Sequence, residues 1–350
     1  MTVDVAVVGF ASMSTDAESR SEQEMLLPVI AEALAPLGLV SQDMGFVVSG
    51  SSDYLAGQPF SFVAALDAVG PWPPLAESHV EMDGAFALYE AWLRLQHGDI
   101  DTALVYSFGK SSGGDIARTL ALQLDPYVLA PLFPDQHSLA ALQARSVLDR
   151  GVATERDIAE VVARSLKDAT GNPNARRSGN PSVDDLLAAE VTYDPLRDHD
   201  LPPVTDGCAA VVLATGERAR ALTDTPAWIR GIDQRIEAHA FGVRDLADSV
   251  STRKAAEVVG ATSGADIAEL HAPYPHQELI LRRALGLNGR TRINPSGGAL
   301  ASNAVMVAGL ERIGHAATRL RNGEGQRAIA HATSGPLLQQ NLVCLLEVGG

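Results

Sequence analysis

Two stretches, one in each half of the chain, share a single pattern that constrains the fold more than any other feature. Residues 83–108 and residues 302–333 each run from a loop through an apolar helix to a glycine-rich stop and then into a strand. A supersecondary unit that recurs in this way indicates duplication. The sequence therefore predicts an α/β protein with two similar halves.

The boundary between the halves is predicted near residue 217. The segment DGCAAVVLAT closes the first half as a strand, and PAWIRGIDQRIEA opens the second. With 350 residues, 46% of them apolar, the chain is long enough for two such cores. We therefore assign residues 1–216 to an N-terminal domain and residues 217–350 to a C-terminal domain. A polar stretch rich in turn formers predicts a surface excursion of the first domain over about residues 110–200.

Composition excludes several classes of function. The chain has 43 acidic and 27 basic residues, a formal charge of −16, so its surface should repel nucleic acid. Its first residues do not resemble a signal peptide, and no apolar stretch reaches the length of a membrane span, so we expect a cytoplasmic protein. Cys208 and Cys344 lack the spacing of a disulfide framework or a metal site. Both are expected in core strands, and no metal site is predicted.

Three stretches together resemble the thiolase superfamily, specifically its sterol-carrier or lipid-transfer branch. They are NPSGGALASNAVMVAGLERI (294–313), AELHAPYPHQELILRRALGL (268–287) and TDGCAAVVLA (205–214). The sequence of residues 50–92 most resembles actinobacterial homologues associated with steroid catabolism. The resemblance implies a thiolase fold, in which two duplicated mixed-sheet halves form an αβαβα layered arrangement.

The loop before the first repeated helix lacks the cysteine of working thiolases. Their Cys-x-x-Gly pattern puts a thiolate at a helix N-terminus, whereas the matching residues here are EMDG, with Glu81 in the place of the nucleophile. A carboxylate is a poor acyl carrier but can accept a proton, so Glu81 is a candidate catalytic base. Asp83 is a candidate for substrate binding. The alternative is that Asp83 caps the helix and Glu81 has a structural role.

The second loop resembles the family's His-Asp-x-Phe loop and keeps its histidine as His271, with Tyr274 in place of the phenylalanine. Imidazole titrates near neutral pH, so His271 is predicted to be catalytic, either polarising a thioester carbonyl or acting as a base. Tyr274 and His276 are candidates for substrate binding. A hydrogen-bonded structural role is the alternative for His271.

In the third loop the family's Gly-His-Pro becomes SNA, so a catalytic histidine is missing. Asn303 is a candidate catalytic residue because its amide can donate a hydrogen bond to an enolate oxygen. It is equally suited to capping the following helix. Gly297 and Gly298, in the preceding turn, are candidates for substrate binding.

Near the C-terminus, Leu337 or Leu338 stands where the family places its second catalytic cysteine. Two lost cysteines and one lost histidine disfavour acyl transfer of the thiolase kind. The resemblance instead implies a carbon–carbon lyase, an aldolase subunit that shortens steroid side chains by retro-aldol cleavage of a β-hydroxyacyl-CoA. Alternatives are a non-catalytic thiolase-fold subunit of a heteromeric complex, an acyl-CoA or lipid carrier, and an acyltransferase.

The resemblance also implies partners. Coenzyme A is expected as part of an acyl-CoA substrate, including steroid-CoA, and not as a permanently bound cofactor. Only Lys110, Lys167 and Lys254 are lysines, which fits a small OB-fold and zinc-ribbon subunit that helps to hold the coenzyme. A homo- or heterodimer of thiolase folds is expected, and residues 131–145 are expected to form a lid over the substrate tunnel.

Overall fold

A computed structural model describes residues 3–70 and 72–349. Its strands, in chain order, are β1 (Val5–Thr15), β2 (Phe46–Gly50), β3 (Glu77–Val80), β4 (Thr102–Lys110), β5 (Val191–Tyr193), β6 (Leu196–Arg197), β7 (Asp206–Thr215), β8 (Ala227–Ile236), β9 (Ile267–Leu270), β10 (Arg292–Ile293), β11 (Arg327–Ser334) and β12 (Gln340–Glu347).

The helices alternate with these strands along most of the chain. They are α1 (Glu22–Leu34), α2 (Asp53–Ala56), α3 (Val63–Leu66), α4 (Gly84–Leu95), α5 (Ile116–Leu122), α6 (Gln136–Asp149), α7 (Glu155–Asp168), α8 (Val183–Ala188), α9 (Gly216–Leu222), α10 (Val250–Val259), α11 (Pro275–Ala284), α12 (Gly298–Ala301) and α13 (Ala308–Arg321).

The main sheet repeats one topology in its two halves. Its strand order is β10-β9-β11-β12-β8-β1-β7-β4-β2-β3. In the first half, β3, β2 and β4 are parallel, and β7 and β1 follow as antiparallel neighbours. In the second half, β10, β9 and β11 are parallel, and β12 and β8 are antiparallel. The halves meet through a short β1–β8 pairing, and the predicted duplication is confirmed.

Helices separate the two halves of the sheet and also cover their outer faces. The central helices α4 and α13 contact each other, and they pack on strands of the first and second halves, respectively. Buried side chains of both helices and both halves form one apolar cluster. On the outside, α1 packs on β1 and β7, while α10 packs on β8 and β12. This is the predicted αβαβα arrangement.

The two repeated units are α4–β4 and α13–β11, which match residues 83–108 and 302–333. The proposed domain boundary falls at the start of α9, between β7 and β8, and the division into domains stays a prediction. Cys208 and Cys344 are both fully buried, on β7 and β12, as expected of core cysteines.

The segment between β4 and β7 is more ordered than a simple surface excursion. It holds α5 to α8 and the two-stranded sheet β5–β6. Helix α7 packs on α11 of the second half, and α6 also contacts α11. The segment therefore reaches across to the second half. Within the described ranges, every helix is too short or too polar to cross a membrane.

Candidate active site

A cavity of about 450 Å³ lies among loops of both halves. Four stretches supply most of its wall: α5 to α6, the loop after β9, the loop before α13, and the turn between β11 and β12. Its lining residues include Asp83, Asp125, His239, His271, Tyr274, Gln277, Asn303, Met306, Thr333, Leu337 and Leu338. The predicted lid contributes Pro134, Gln136, Leu139 and Ala140.

The structure brings His271 and Asn303 together in this wall. His271 follows β9, and Asn303 lies in the loop between α12 and α13. His271 Nε2 is 3.3 Å from Asn303 Oδ1, and the backbone N–H of Thr333 donates to His271 Nδ1 over 3.4 Å. Since Nδ1 accepts, Nε2 carries the proton and donates to the Asn303 carbonyl. The amide nitrogen of Asn303 is then oriented to donate to a molecule in the cavity.

His271 is held neutral. Burial, together with the nearby positive charge of Arg312, lowers the pKa of His271 to about 4, although the hydrogen bond to Asn303 opposes the shift. With both ring nitrogens already in hydrogen bonds, the imidazole has no free lone pair to take a proton. His271 is therefore suited to orienting Asn303, and not to the base role considered from sequence.

A buried ion pair fixes the strand that carries His271. Glu269, at 0% exposure on β9, pairs with Arg312 of α13, whose Nη1 lies 3.2 Å from Glu269 Oε2. The Ser296 hydroxyl donates to the same carboxylate over 2.7 Å, and the Ser296 N–H donates to its other oxygen. A fully satisfied buried network of this kind limits the movement of the groups beside it. It ties β9, and with it His271, to α13.

Asn303 does not cap a helix. Helix α13 begins at Ala308 after Val307, and no side chain of that residue caps it. The N–H of Asn303 donates to Thr205 Oγ1 over 3.2 Å, which anchors the loop. Asn303 therefore does not act as the helix cap considered from sequence, and it lines the cavity instead.

Asp83 caps two helices at once. Its Oδ1 accepts hydrogen bonds from the N–H groups of Ala85 in α4 and Leu310 in α13, at 2.8 and 3.0 Å. Its Oδ2 accepts from the N–H of Gly309 over 2.9 Å. A Cβ at position 309 would overlap the Asp83 carboxylate, so glycine is required there. Burial raises the pKa of Asp83, while the three N–H bonds oppose that shift. The carboxylate thus fills the anion site formed by two helix N-termini.

Tyr274, a candidate for substrate binding, also lines the cavity. Its hydroxyl lies 2.9 Å from Nδ1 of His137, a residue of the predicted lid. Burial raises the pKa of Tyr274, so its hydroxyl remains protonated. The contact joins α6 to the loop that carries His271.

A histidine–aspartate pair in the cavity wall was missed by the sequence reasoning. His239 Nε2 lies 3.5 Å from Asp125 Oδ2, and both residues line the cavity. The backbone N–H groups of Tyr127 and Val128 hold the other oxygen, Asp125 Oδ1. The side chain of His239 is 50% exposed, so its ring is open to both cavity and solvent. No short motif links these residues along the chain, so only the fold reveals the pair.

Three apolar residues of the wall have left-handed backbone conformations. Their φ values are 73° for Met306, 58° for Leu337 and 57° for Leu338. Such conformations cost about 1–3 kcal/mol each for residues with a side chain and tend to cluster at functional sites. Leu337 and Leu338 occupy the turn predicted to replace the second cysteine loop, and they give that part of the cavity an apolar surface.

Comparisons with known proteins agree with this fold. An acetyl-CoA acetyltransferase of Methanothermobacter thermautotrophicus is 28% identical over 222 residues, 57% of this chain and 58% of that protein. A 17-hydroxy-3-oxo-4-pregnene-20-carboxyl-CoA lyase of Mycobacterium tuberculosis is 27% identical over 242 residues, 65% of this chain and 62% of that protein. The alignments therefore span about three fifths of these two relatives. No family model matches the chain.

Among solved structures, an Ltp2-ChsH2(DUF35) aldolase superposes with a TM-score of 0.80 at 18% identity, over 99% of this chain and 98% of that chain. The chain is a homologue of the thiolase superfamily. At this level of identity the structural match establishes the fold alone. The chemistry of this thiolase homologue has to be inferred from its own residues.

Glu81 lies outside the cavity of this thiolase homologue. Its side chain is 44% exposed and approaches His79, with Glu81 Oε2 3.5 Å from His79 Nε2. Its other oxygen accepts a 2.7 Å hydrogen bond from the N–H of Asp53. The chain between β3 and α4 directs Asp83, not Glu81, into the cavity wall. These contacts fit the structural alternative for Glu81 and Asp83, and the catalytic role of Glu81 stays a prediction.

Three further candidates for substrate binding are not among the described residues that line the cavity. His276 is fully buried in α11. Gly297 and Gly298 form a tight turn with φ values of 91° and 62°. A Cβ on Gly297 would lie 2.6 Å from Cβ of Ala169, and one on Gly298 would lie 2.9 Å from Asn294 Nδ2. In the thiolase homologue, these glycines permit close packing beneath the site and do not contact the cavity.

Proposed function

We propose that this chain is an aldolase subunit that cleaves a β-hydroxyacyl-CoA by a retro-aldol reaction. One observation carries the proposal: the cavity combines a neutral donor pair, His271 and Asn303, with a separate histidine–aspartate pair, His239 and Asp125. Cys208 and Cys344 are buried in strands, so neither is placed to carry an acyl group. Retro-aldol cleavage needs a base and an enolate site but no acyl-enzyme.

The reaction balances without a redox partner. A base takes the proton of the β-hydroxyl group, the Cα–Cβ bond breaks, and the β-carbon becomes the carbonyl of a ketone or aldehyde. The electron pair of the broken bond forms the enolate of the shortened acyl thioester. The enolate is then protonated at Cα, which releases the shorter acyl-CoA.

In this proposal His239 is the base and Asp125 orients it. The negative charge of Asp125 stabilises the protonated His239 ring that forms during the reaction, while the other oxygen of Asp125 is fixed by backbone N–H groups. The half-exposed ring of His239 can pass the proton to solvent or return it to the enolate. His271 does not serve as base, because both its ring nitrogens are engaged.

Asn303 is proposed to stabilise the enolate oxygen. Its amide nitrogen donates without changing charge, and His271 fixes its orientation through the carbonyl oxygen. Asp83 already fills the anion site at the two helix N-termini. The developing negative charge is therefore stabilised at Asn303 and not at the helix ends used by a thiolase nucleophile.

The substrate is proposed to be a bulky acyl-CoA of the steroid kind, with coenzyme A as part of the substrate. Apolar side chains dominate the wall near the lid, among them Leu120, Leu124, Leu129 and Leu139. The similar lyase of Mycobacterium tuberculosis is named for a steroid-CoA, which supports the same class here. A cavity of about 450 Å³ is within the usual range for small-molecule sites.

A second subunit is proposed to complete the coenzyme site. Among the described residues that line the cavity, none is lysine or arginine, whereas the phosphates of coenzyme A call for positive charge. The similar aldolase structure is named as a complex with a DUF35 protein. We therefore propose a small partner of the OB-fold and zinc-ribbon kind, in addition to pairing of thiolase folds in a homo- or heterodimer.

The experiment is to incubate a β-hydroxyacyl-CoA with the chain alone and with co-expressed products of neighbouring genes. We expect equal amounts of carbonyl product and shortened acyl-CoA from the complex. Steady acetyl exchange between thioesters by the isolated chain would contradict the proposal, because that reaction needs an acyl-enzyme. If cleavage persists when both His239 and Asn303 are substituted, this chain is the non-catalytic subunit of its complex.

A further inference from the structure

Asp53, His79 and Glu81 meet beside β3, the strand at the edge of the first half of the sheet. Asp53 is the first residue of α2, His79 lies on β3, and Glu81 follows that strand directly. One carboxylate oxygen from each acidic residue and one imidazole nitrogen all lie within 4.8 Å of one another. The three side chains come from two separate segments that the sheet brings together.

The imidazole of His79 is oriented by two contacts. Its Nδ1 lies 3.2 Å from the hydroxyl oxygen of Ser49, a buried residue of β2. The ring of Phe62 stacks on the imidazole, with centroids 5.0 Å apart and planes 24° apart. When Nδ1–H donates to Ser49, the lone pair of Nε2 is directed toward Glu81. Metal-binding histidines are oriented in the same way by a hydrogen bond from the second nitrogen.

The distances between these groups suit a small divalent cation. Bonds of about 2.1 Å in a tetrahedral site place neighbouring ligand atoms about 3.4 Å apart. His79 Nε2 and Glu81 Oε2 are 3.5 Å apart. The third ligand atom lies within 4.8 Å of the other two, so it needs to move by less than about 2 Å to reach that spacing.

The two carboxylates are held in place by backbone N–H groups. Asp53 Oδ1 accepts from Ser61 over 2.8 Å, and Oδ2 accepts from Phe60 over 3.0 Å. Glu81 Oε1 accepts from the N–H of Asp53 itself. Each carboxylate oxygen has a second lone pair available to a cation.

We propose that Asp53, His79 and Glu81 bind one divalent transition-metal ion of the Zn²⁺ class. The imidazole nitrogen favours such ions over Mg²⁺ and Ca²⁺, which prefer oxygen ligands alone. The ion joins α2 to the segment after β3, two residues before Asp83 in the cavity wall. With Glu81 half-exposed, the fourth position is open to water. This assignment differs from the sequence expectation of no metal site and does not depend on the proposed reaction.

The test uses the full chain without an affinity tag, treated with a chelator and then dialysed. Titration calorimetry with ZnCl₂ is expected to show one equivalent bound per chain, while MgCl₂ at the same concentration gives no heat of binding. His79→Ala should abolish this binding, and Ser49→Ala should weaken it about tenfold or more through loss of the orienting hydrogen bond. The matched control is His97→Ala, which removes an exposed histidine on another loop.

Thermal unfolding keeps the proposal testable if a variant is destabilised. ZnCl₂ should raise the Tm of the wild-type chain and of His97→Ala, since binding to the folded state stabilises it. It should leave the Tm of Glu81→Gln unchanged, because the amide oxygen keeps the backbone contact but loses the ligand charge. The proposal would be overturned if the wild-type chain did not bind stoichiometric Zn²⁺. It would also be overturned if the folded His79→Ala and Glu81→Gln chains bound Zn²⁺ as tightly as the wild type.

Discussion

The carboxylate of Asp83 accepts a 2.9 Å hydrogen bond from the backbone N–H of Gly309, which joins the two halves of the duplication at the cavity wall. The same side chain caps α4 through Ala85 and reaches Leu310 in α13. Asp83→Ala leaves these buried N–H groups without their acceptor. We expect it to lower the free energy of unfolding by about 2–4 kcal/mol, measured by urea denaturation.

Asp115→Ala is the matched control for that prediction. Asp115 also caps a helix, because its Oδ1 accepts from the N–H of Arg118, but it is exposed and serves α5 alone. Its loss should cost at most about 1 kcal/mol. An equal effect of the two substitutions would show that Asp83 does not join the halves.

Asn303→Asp tests the enolate site. The change keeps the shape of the side chain but replaces the donor N–H₂ with a carboxylate oxygen that repels a developing oxyanion. We expect the rate of cleavage at saturating substrate to fall about 10²–10³-fold with a small change in KM. Asn288→Asp, on an exposed loop, is the control and should retain the wild-type rate. A change in KM alone would place Asn303 in ground-state binding.

His239→Ala tests the base. Removal of the imidazole is expected to lower the cleavage rate about 10²–10⁴-fold. Since the side chain is 50% exposed, added imidazole should reach the vacated space and restore part of the rate. Rescue distinguishes a chemical role from a structural one. A variant with full activity would remove His239 from the mechanism.

His276 should make stability depend on pH. Free histidine titrates near 6.5, whereas burial lowers the pKa of His276 to about 3. Between these values the unfolded chain binds one more proton than the folded chain, so the free energy of unfolding falls as the pH drops from 6.5 toward 3. In the described part of the chain neither ring nitrogen of His276 has a hydrogen-bond partner.

His276→Leu removes that linkage. The loss of unfolding free energy between pH 7 and pH 5 should be about 2 kcal/mol smaller in the variant than in the wild type. Urea denaturation at the two pH values measures it, with the exposed His97→Leu as control. If the free energy of unfolding depended on pH equally in His276→Leu and in the wild type, the pKa of His276 would not be lowered in the folded chain.

The repeated units were predictable because local signals carry them. An apolar helix, a glycine stop and a buried strand occur in that order in both halves, and α4–β4 and α13–β11 follow. The proximity of His271 and Asn303 could also be predicted, because both residues lie on loops that resemble catalytic loops of one family. The expectation that thiolase chemistry is disfavoured needed only the two missing cysteines and the missing histidine.

Other parts of the site could not be predicted from sequence. Glu81 stands in the motif position of the nucleophile, but the direction of its side chain is set by the Asp53 N–H and His79, which no spacing reveals. Asp125 and His239 belong to different halves and meet only in the folded chain. The turn glycines Gly297 and Gly298 belong to a motif that shapes the site by packing alone.

The most direct test of the proposed active site is cleavage of a β-hydroxyacyl-CoA in D₂O by the reconstituted complex, followed by mass spectrometry. The account predicts equal amounts of carbonyl product and shortened acyl-CoA, with one deuterium at Cα from protonation of the enolate. Complexes that contain the Asn303→Asp or His239→Ala chain should form these products far more slowly. Cleavage at the wild-type rate by both variant complexes would contradict the account and place the active site in another chain.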